Sequence, residues 1–187
     1  LIVTADHGDM RESQGLETKL FPWDESIRVP FLLRWPALHG RTGRAIPIPL
    51  DAPDIMPTLL DLCAIPIPGT VEGRSWAPHI RGECNPAPDD AALLVMPAEF
   101  TELRRTGMSA YRGLRTRQHT YVRTRQGPWL LFDNDADPFQ MRNLVSDPRH
   151  TRTLTDLDRR LSARLAVLQD EFLEGQAYVE RDGLTHY

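Results

Sequence analysis

Hydrophobic and polar positions follow three different patterns along the chain, and each predicts a different kind of element. The opening run, Leu1 to Thr4, is continuously apolar and stops at a polar tip, Asp6 and His7. A strand buried on both faces reads this way, as in the parallel sheets of α/β folds. Residues 9 to 26 are polar and punctuated by glycine, a loop long enough to be functional rather than merely connective. RVPFLLRWP predicts a second strand, Val29 to Arg34, bounded by prolines, and residues 36 to 50 form a further loop. DAPDIMPTLLDLCAI predicts a helix from about Pro53 to Leu62, with Asp51 as its cap and Pro57 either inside its first turn or kinking it. Few segments offer themselves as parallel partners for the opening strand, so residues 1 to about 85 read as the tail of a larger α/β domain.

From about residue 92 the period changes to two, with short turns, which predicts antiparallel strands near 93–98, 109–116, 119–125 and 129–133. Asp137-Pro138 and Asp147-Pro148 mark turns before a long closing helix. Its apolar stripe, Leu157, Leu161, Leu165, Leu168 and Phe172, recurs at helical spacing and is expected to cover one face of the sheet.

Composition narrows the function classes. The 187 residues are 41% hydrophobic and 26% charged, ordinary for a soluble globular chain. No run approaches the roughly 18 apolar residues of a spanning helix, and the start lacks a signal-peptide layout, so membrane insertion is not expected. With 22 basic against 26 acidic side chains, the net charge of −4 gives no global attraction for nucleic acid or anionic lipid. Cys63 and Cys84 cannot form a disulfide framework or a four-cysteine zinc site. Cys63, at a helix end, reads as a small buried hydrophobe, and Cys84 as a loop thiol. Of the basic residues only Lys19 is lysine. Either it is a chance survivor of an arginine-rich composition, or it serves a site that needs a compact ammonium rather than a planar fork.

The candidate chemistry gathers at the first strand's end. Ligand sites of open α/β sheets lie outside the carboxyl ends of strands. There Asp6 offers a hard anionic oxygen and His7 an imidazole nitrogen, which together with carboxylates from elsewhere would hold a divalent cation. A capping aspartate beside a hydrogen-bonded histidine would look the same. Adjacent strand residues point to opposite sides, so both can face one ion only where the strand has ended, and Gly8 makes that break cheap. Lys19 follows in the same loop. An ammonium beside a divalent cation is repelled unless an anion bridges them, which points to an anionic substrate.

These residues carry a family resemblance. TADHGDM, Lys19, DESIRVPFLLRWP, DAPDIMPTLLDL, Gly73 to Ser75, YRGLRT and DPFQMRNL, in this order, resemble the C-terminal half of a sulfatase of the alkaline phosphatase superfamily. The resemblance implies an α/β fold: residues 1–90 as the C-terminal part of an alkaline phosphatase-like sandwich, then residues 91–187 as a small antiparallel four-stranded sheet packed by a C-terminal helix. It implies that Asp6 and His7 are metal ligands of a calcium site, with manganese as the alternative ion, and that Lys19 contacts the sulfate group of a sulfate ester substrate. It also implies a formylglycine nucleophile made in a C/S-x-P-x-R motif upstream of Asp6. Cys84-Asn85-Pro86-Ala87-Pro88 fails that motif, with proline where arginine is required, so the chain is expected to be an inactive fragment on its own.

The sequence departs from the family pattern at the bulky Leu20 and Phe21 after Lys19, and at Gln140, where an acidic residue is common. His7 after Asp6 also occurs in phosphonate and phosphate ester hydrolases, which keeps that class open, as does a non-catalytic interaction role for the isolated chain. The apolar flank Leu1 to Val3 suggests self-association.

Other constellations read as structural. Asp133, Asp135 and Asp137 alternate as in a calcium loop, but Pro138 and Leu144 occupy its glycine and glutamate positions, so they read as an acidic turn. Arg112, Arg115, Arg117, Arg123 and Arg125, with Tyr111, Tyr121 and Trp129, suggest a basic, aromatic sheet. The acidic total argues against nucleic acid, and these arginines are expected on a solvated face or paired with acids of the closing helix; the alternative, which the family resemblance implies, is contact with a substrate rim. His119 reads as a surface residue.

Overall fold

The computed structural model describes residues 1–85 and 90–184. Strand β1 (Ile2–Thr4) pairs antiparallel with β2 (Phe31–Leu33), matching Ile2 to Leu33 and Thr4 to Phe31. Its partner among the described residues runs antiparallel, and β1 is exposed along its length in this chain. Between them lies helix α1 (Asp24–Ile27), and after β2 come α2 (Pro36–His39) and α3 (Ala52–Leu62).

Asp51 caps α3 as its sequence predicts, in a capping box with Asp54. Its other carboxylate oxygen accepts the Leu93 N–H at 3.0 Å, tying the helix start to the second half of the chain. Pro57 sits in the second turn instead of the first, without ending the helix. Lacking an N–H, it leaves the Pro53 carbonyl without its usual donor, and Gly73 packs so closely there that any Cβ would overlap it. Asp54 then accepts the Arg74 N–H at 2.9 Å and the Trp76 indole N–H at 2.8 Å, while Ser75 donates to Asp61 at 2.6 Å. The Gly73–Ser75 block thus docks helix α4 (Ala77–Arg81) onto α3, around a core of Leu62, Ala77 and Ile80. Cys63 is exposed at the C-cap of α3, correcting its expected burial: the helix ends there, one residue past the buried Leu62.

The second half is an antiparallel meander, β3 (Ala91–Met96), β4 (Tyr111–Thr116), β5 (His119–Thr124) and β6 (Gly127–Asp133), with α5 (Thr101–Thr106) between β3 and β4. Side chains alternate between its two faces. Leu114, Tyr121 and Leu131 meet Leu157, Leu161 and Leu165 of α6 (Thr151–Val167), the predicted helical cover. The stripe ends earlier than its spacing suggests: Leu168 is a half-exposed cap, and Phe172 lies beyond the helix because Gln169 turns left-handed at φ 54°.

The other face is covered as well. Tyr111, Val122, Leu130 and Phe132 pack against Met10, Leu16, Phe21 and Trp23, so the segment read as a polar loop forms the sheet's second layer.

Candidate functional site

The β1 tip carries Asp6 and His7 just past the last paired residue, Thr4, where the strand no longer forces them apart. Gly8 donates its N–H to the Ser26 carbonyl at 2.8 Å, and a Cβ at this position would run into the Glu25 backbone. Only glycine lets the tip lie against α1 in this way. The Asp6 Oδ1 accepts the His7 N–H at 3.0 Å, and this bond leads the influences that hold its carboxyl below the usual range although it is exposed. The His7 Nδ1 lies 2.7 Å from the Gly8 carbonyl oxygen. A carbonyl only accepts, so Nδ1 bears the proton and Nε2 presents its lone pair. Onto that lone pair points the Lys19 ammonium, with Nζ 2.8 Å from Nε2, while the Asp6 Oδ2 stands 3.5 Å from the same nitrogen. The three residues singled out by sequence are thus brought together.

Lys19 reaches this point from a loop held under strain. Five non-glycine residues of the loop have positive φ: Arg11, Glu12, Gln14, Thr18 and Leu20. Each costs about 1 kcal/mol or more and persists only where surroundings enforce it. Here the enforcement comes from buried Met10, Leu16, Phe21 and Trp23, and from the Met10 N–H bonded to the Thr18 carbonyl at 2.6 Å. The sheet contributes directly. Tyr111 donates its hydroxyl to the Leu20 carbonyl at 3.1 Å, and Arg115 grips both oxygens of Asp24 at 2.8 Å each. Buried Gln140 accepts the Asp24 N–H at 2.8 Å and donates to Thr120 at 2.9 Å and to Asn134 at 3.0 Å. A neutral amide can donate and accept at once, which an acid in that position could not do when ionised. Sequence reasoning places Tyr111 and Arg115 in the YRGLRT block and in a basic, aromatic sheet, but misses them as supports of the loop.

The remaining candidates fall into structural roles. Asp133 and Asp137 accept backbone N–H groups of Asp135, Ala136 and Arg142, an acidic turn as expected. The basic sheet is mostly paired: Arg115 with Asp24, Arg123 with Asp158 and Arg125 with Glu174. Arg112 corrects the solvated-face expectation. It is buried, bonded to Asp170 and the Tyr178 hydroxyl, and stacked over Phe172 at 4.4 Å. His119 is half-buried, and burial lowers its pKa against the pull of Asp133. Cys84 is an exposed free thiol, and Pro86 to Pro88 of its motif-like string lie outside the described residues. Among the described residues no three carboxylate, imidazole or thiol groups converge, and no helix is long and apolar enough to cross a membrane.

Comparison with known proteins gives this geometry a family. The family described as N-sulphoglucosamine sulphohydrolase, C-terminal, matches residues 13–167. An ulvan-active sulfatase of Formosa agariphila is 37% identical over 185 residues, covering 97% of this chain and 35% of its own length. The solved structure of a 2-O GAG sulfatase superposes with a TM-score of 0.73 at 26% identity, over 91% of this chain and 37% of that one. A phosphonate monoester hydrolase from Silicibacter pomeroyi superposes with a TM-score of 0.67 at 27% identity, over 92% and 35% respectively. The chain spans about a third of the length of the curated relatives it matches. It belongs to the sulfatase family, corresponds to the C-terminal portion of such proteins, and has their α/β fold with a four-stranded antiparallel sheet and a C-terminal helix.

Proposed function

We propose that this chain is part of a sulfatase that hydrolyses a sulfate ester, with Asp6 and His7 contributing two ligands to a divalent metal site and Lys19 binding the sulfate group. The observation that carries this reading is the Lys19 Nζ lying 2.8 Å from the His7 Nε2, with the Asp6 carboxylate beside them. The donor set suits calcium, or manganese because of the imidazole. His7 fits a ligand role, since its Nδ1–H is fixed on a carbonyl, and its Nε2, which accepts from Lys19 in this chain, would pass to the metal as the ammonium turns to the sulfate. Two donors do not close a coordination shell, so the remaining ligands would come from the rest of the protein, as would the formylglycine nucleophile.

A bound metal would polarise sulfate oxygens. The chain's own groups do the rest: Gly8 fixes the tip, His7 holds its proton on Nδ1, and Lys19 supplies N–H donors to sulfate oxygens as charge builds on them. Residues 1–90 would belong to the catalytic domain and 91–187 to a subdomain bordering it. The exposed flank Leu1 to Val3 and the outward apolar residues Met56 and Ile65 support such a division; in the isolated chain the same surface would favour self-association, which sedimentation measures.

In the longer protein, Lys19→Ala is expected to lower turnover of an aryl sulfate by about 100-fold. Unchanged turnover would remove Lys19 from the site. A second reading, phosphonate or phosphate ester hydrolysis, is favoured by the similarity to the Silicibacter pomeroyi hydrolase. Parallel assays with an aryl phosphonate separate the two.

A further inference from the structure

We infer that Tyr111 is a positioning residue for Lys19, acting through the backbone on its C-terminal side. Lys19 lies between two residues in the left-handed region, Thr18 at φ 66° and Leu20 at φ 80°. Neither can relax while its carbonyl is held. The Thr18 carbonyl accepts the Met10 N–H within the loop, and the Leu20 carbonyl accepts the Tyr111 hydroxyl from across 91 residues. The direction in which the Lys19 side chain leaves the backbone is therefore set at both ends, once by the loop itself and once by the sheet. Tyr111 is 3% exposed, and burial raises its pKa, so the phenol stays a proton donor. The inference takes its functional meaning from the sulfate reading of Lys19, but the geometry it asserts is independent of that reading.

Without the Tyr111 hydroxyl, the Leu20 peptide is free to rotate out of its strained conformation, and the ammonium swings away from His7. Tyr121 is the matched control. It lies on the opposite face of the same sheet, equally buried, and donates to Asp158 at 2.7 Å, remote from the loop.

The test compares Tyr111→Phe, Tyr121→Phe and the parent chain, each labelled with 15N. In Tyr111→Phe the His7 Nε2 resonance is expected to move towards the position of a free imidazole, while in Tyr121→Phe it stays in place. Amide exchange at Phe21 is expected to quicken about fivefold in the first variant, the scale of one lost hydrogen bond, with Val122 unchanged. An unmoved His7 resonance with unchanged Phe21 exchange in Tyr111→Phe overturns the inference, as does an equal shift in both variants. The sulfate reading fails by a different result, an inorganic sulfate response that survives in Lys19→Ala.

Discussion

Gly8 turns the chain from the β1 tip into the Lys19 loop with the Glu25 backbone pressed against it, so the space a methyl group needs is already filled. Gly8→Ala must push α1 away from the tip or rotate Asp6 and His7. A loss of about 3 kcal/mol is expected, read as a fall in the denaturation midpoint without a change of slope. A variant as stable as the parent would show that the tip has room to shift. Much at this scale was legible in the sequence: Asp6 and His7 stand out as a polar pair at a strand end, and Lys19 as the only lysine. The contact between Lys19 and His7 was not, because it depends on loop dihedrals that no residue-type pattern encodes. Leu20 is bulky and Thr18 β-branched, types that ordinarily avoid the left-handed region they occupy here.

Among elements, α3 was the most readable, since its cap, acidic first turn and apolar spacing all agree. The loop was the least. Met10, Leu16, Phe21 and Trp23 follow neither a helical nor a strand period, so their burial comes from the sheet they meet rather than from their own order. The closing helix was misread in its last turn for a related reason. Leu168 and Phe172 keep helical spacing, but Asp170 is drawn instead to the buried Arg112, and the chain turns back so that α7 (Gly175–Arg181) can bring Tyr178 to the same carboxylate. Burial pushes the Asp170 pKa up, but hydrogen bonds from Arg112 and Tyr178 outweigh it and leave it at about 2.

Because the folded value lies below the unfolded one, this clasp contributes its full stability above pH about 4 and loses it as pH falls through about 2. The shift corresponds to about 2 kcal/mol. Amides of residues 170–184 should therefore lose protection in acid before those of β5, as hydrogen exchange would show; simultaneous loss would contradict it. Arg112→Met, which strands the carboxylate, is expected to cost about 3 kcal/mol at neutral pH.

At the scale of the whole molecule, residues from both halves build one core: Met10 to Trp23 on one side, Met96 to Phe132 on the other. On its own the 187-residue chain is expected to turn over no aryl sulfate, since the nucleophile and most metal ligands would lie elsewhere; repeated turnover by this chain would refute that.

The shared core also ties the Lys19 loop to the fate of the fold. A loop that merely decorated the surface could fray in warm or dilute solution and close again around a ligand. This one is a wall of the building: it comes away only when the sheet behind it does. The His7 ring signals and the far-ultraviolet circular dichroism should then vanish over one temperature interval, and a preparation that has kept its secondary structure should have kept the Lys19 amine in place too.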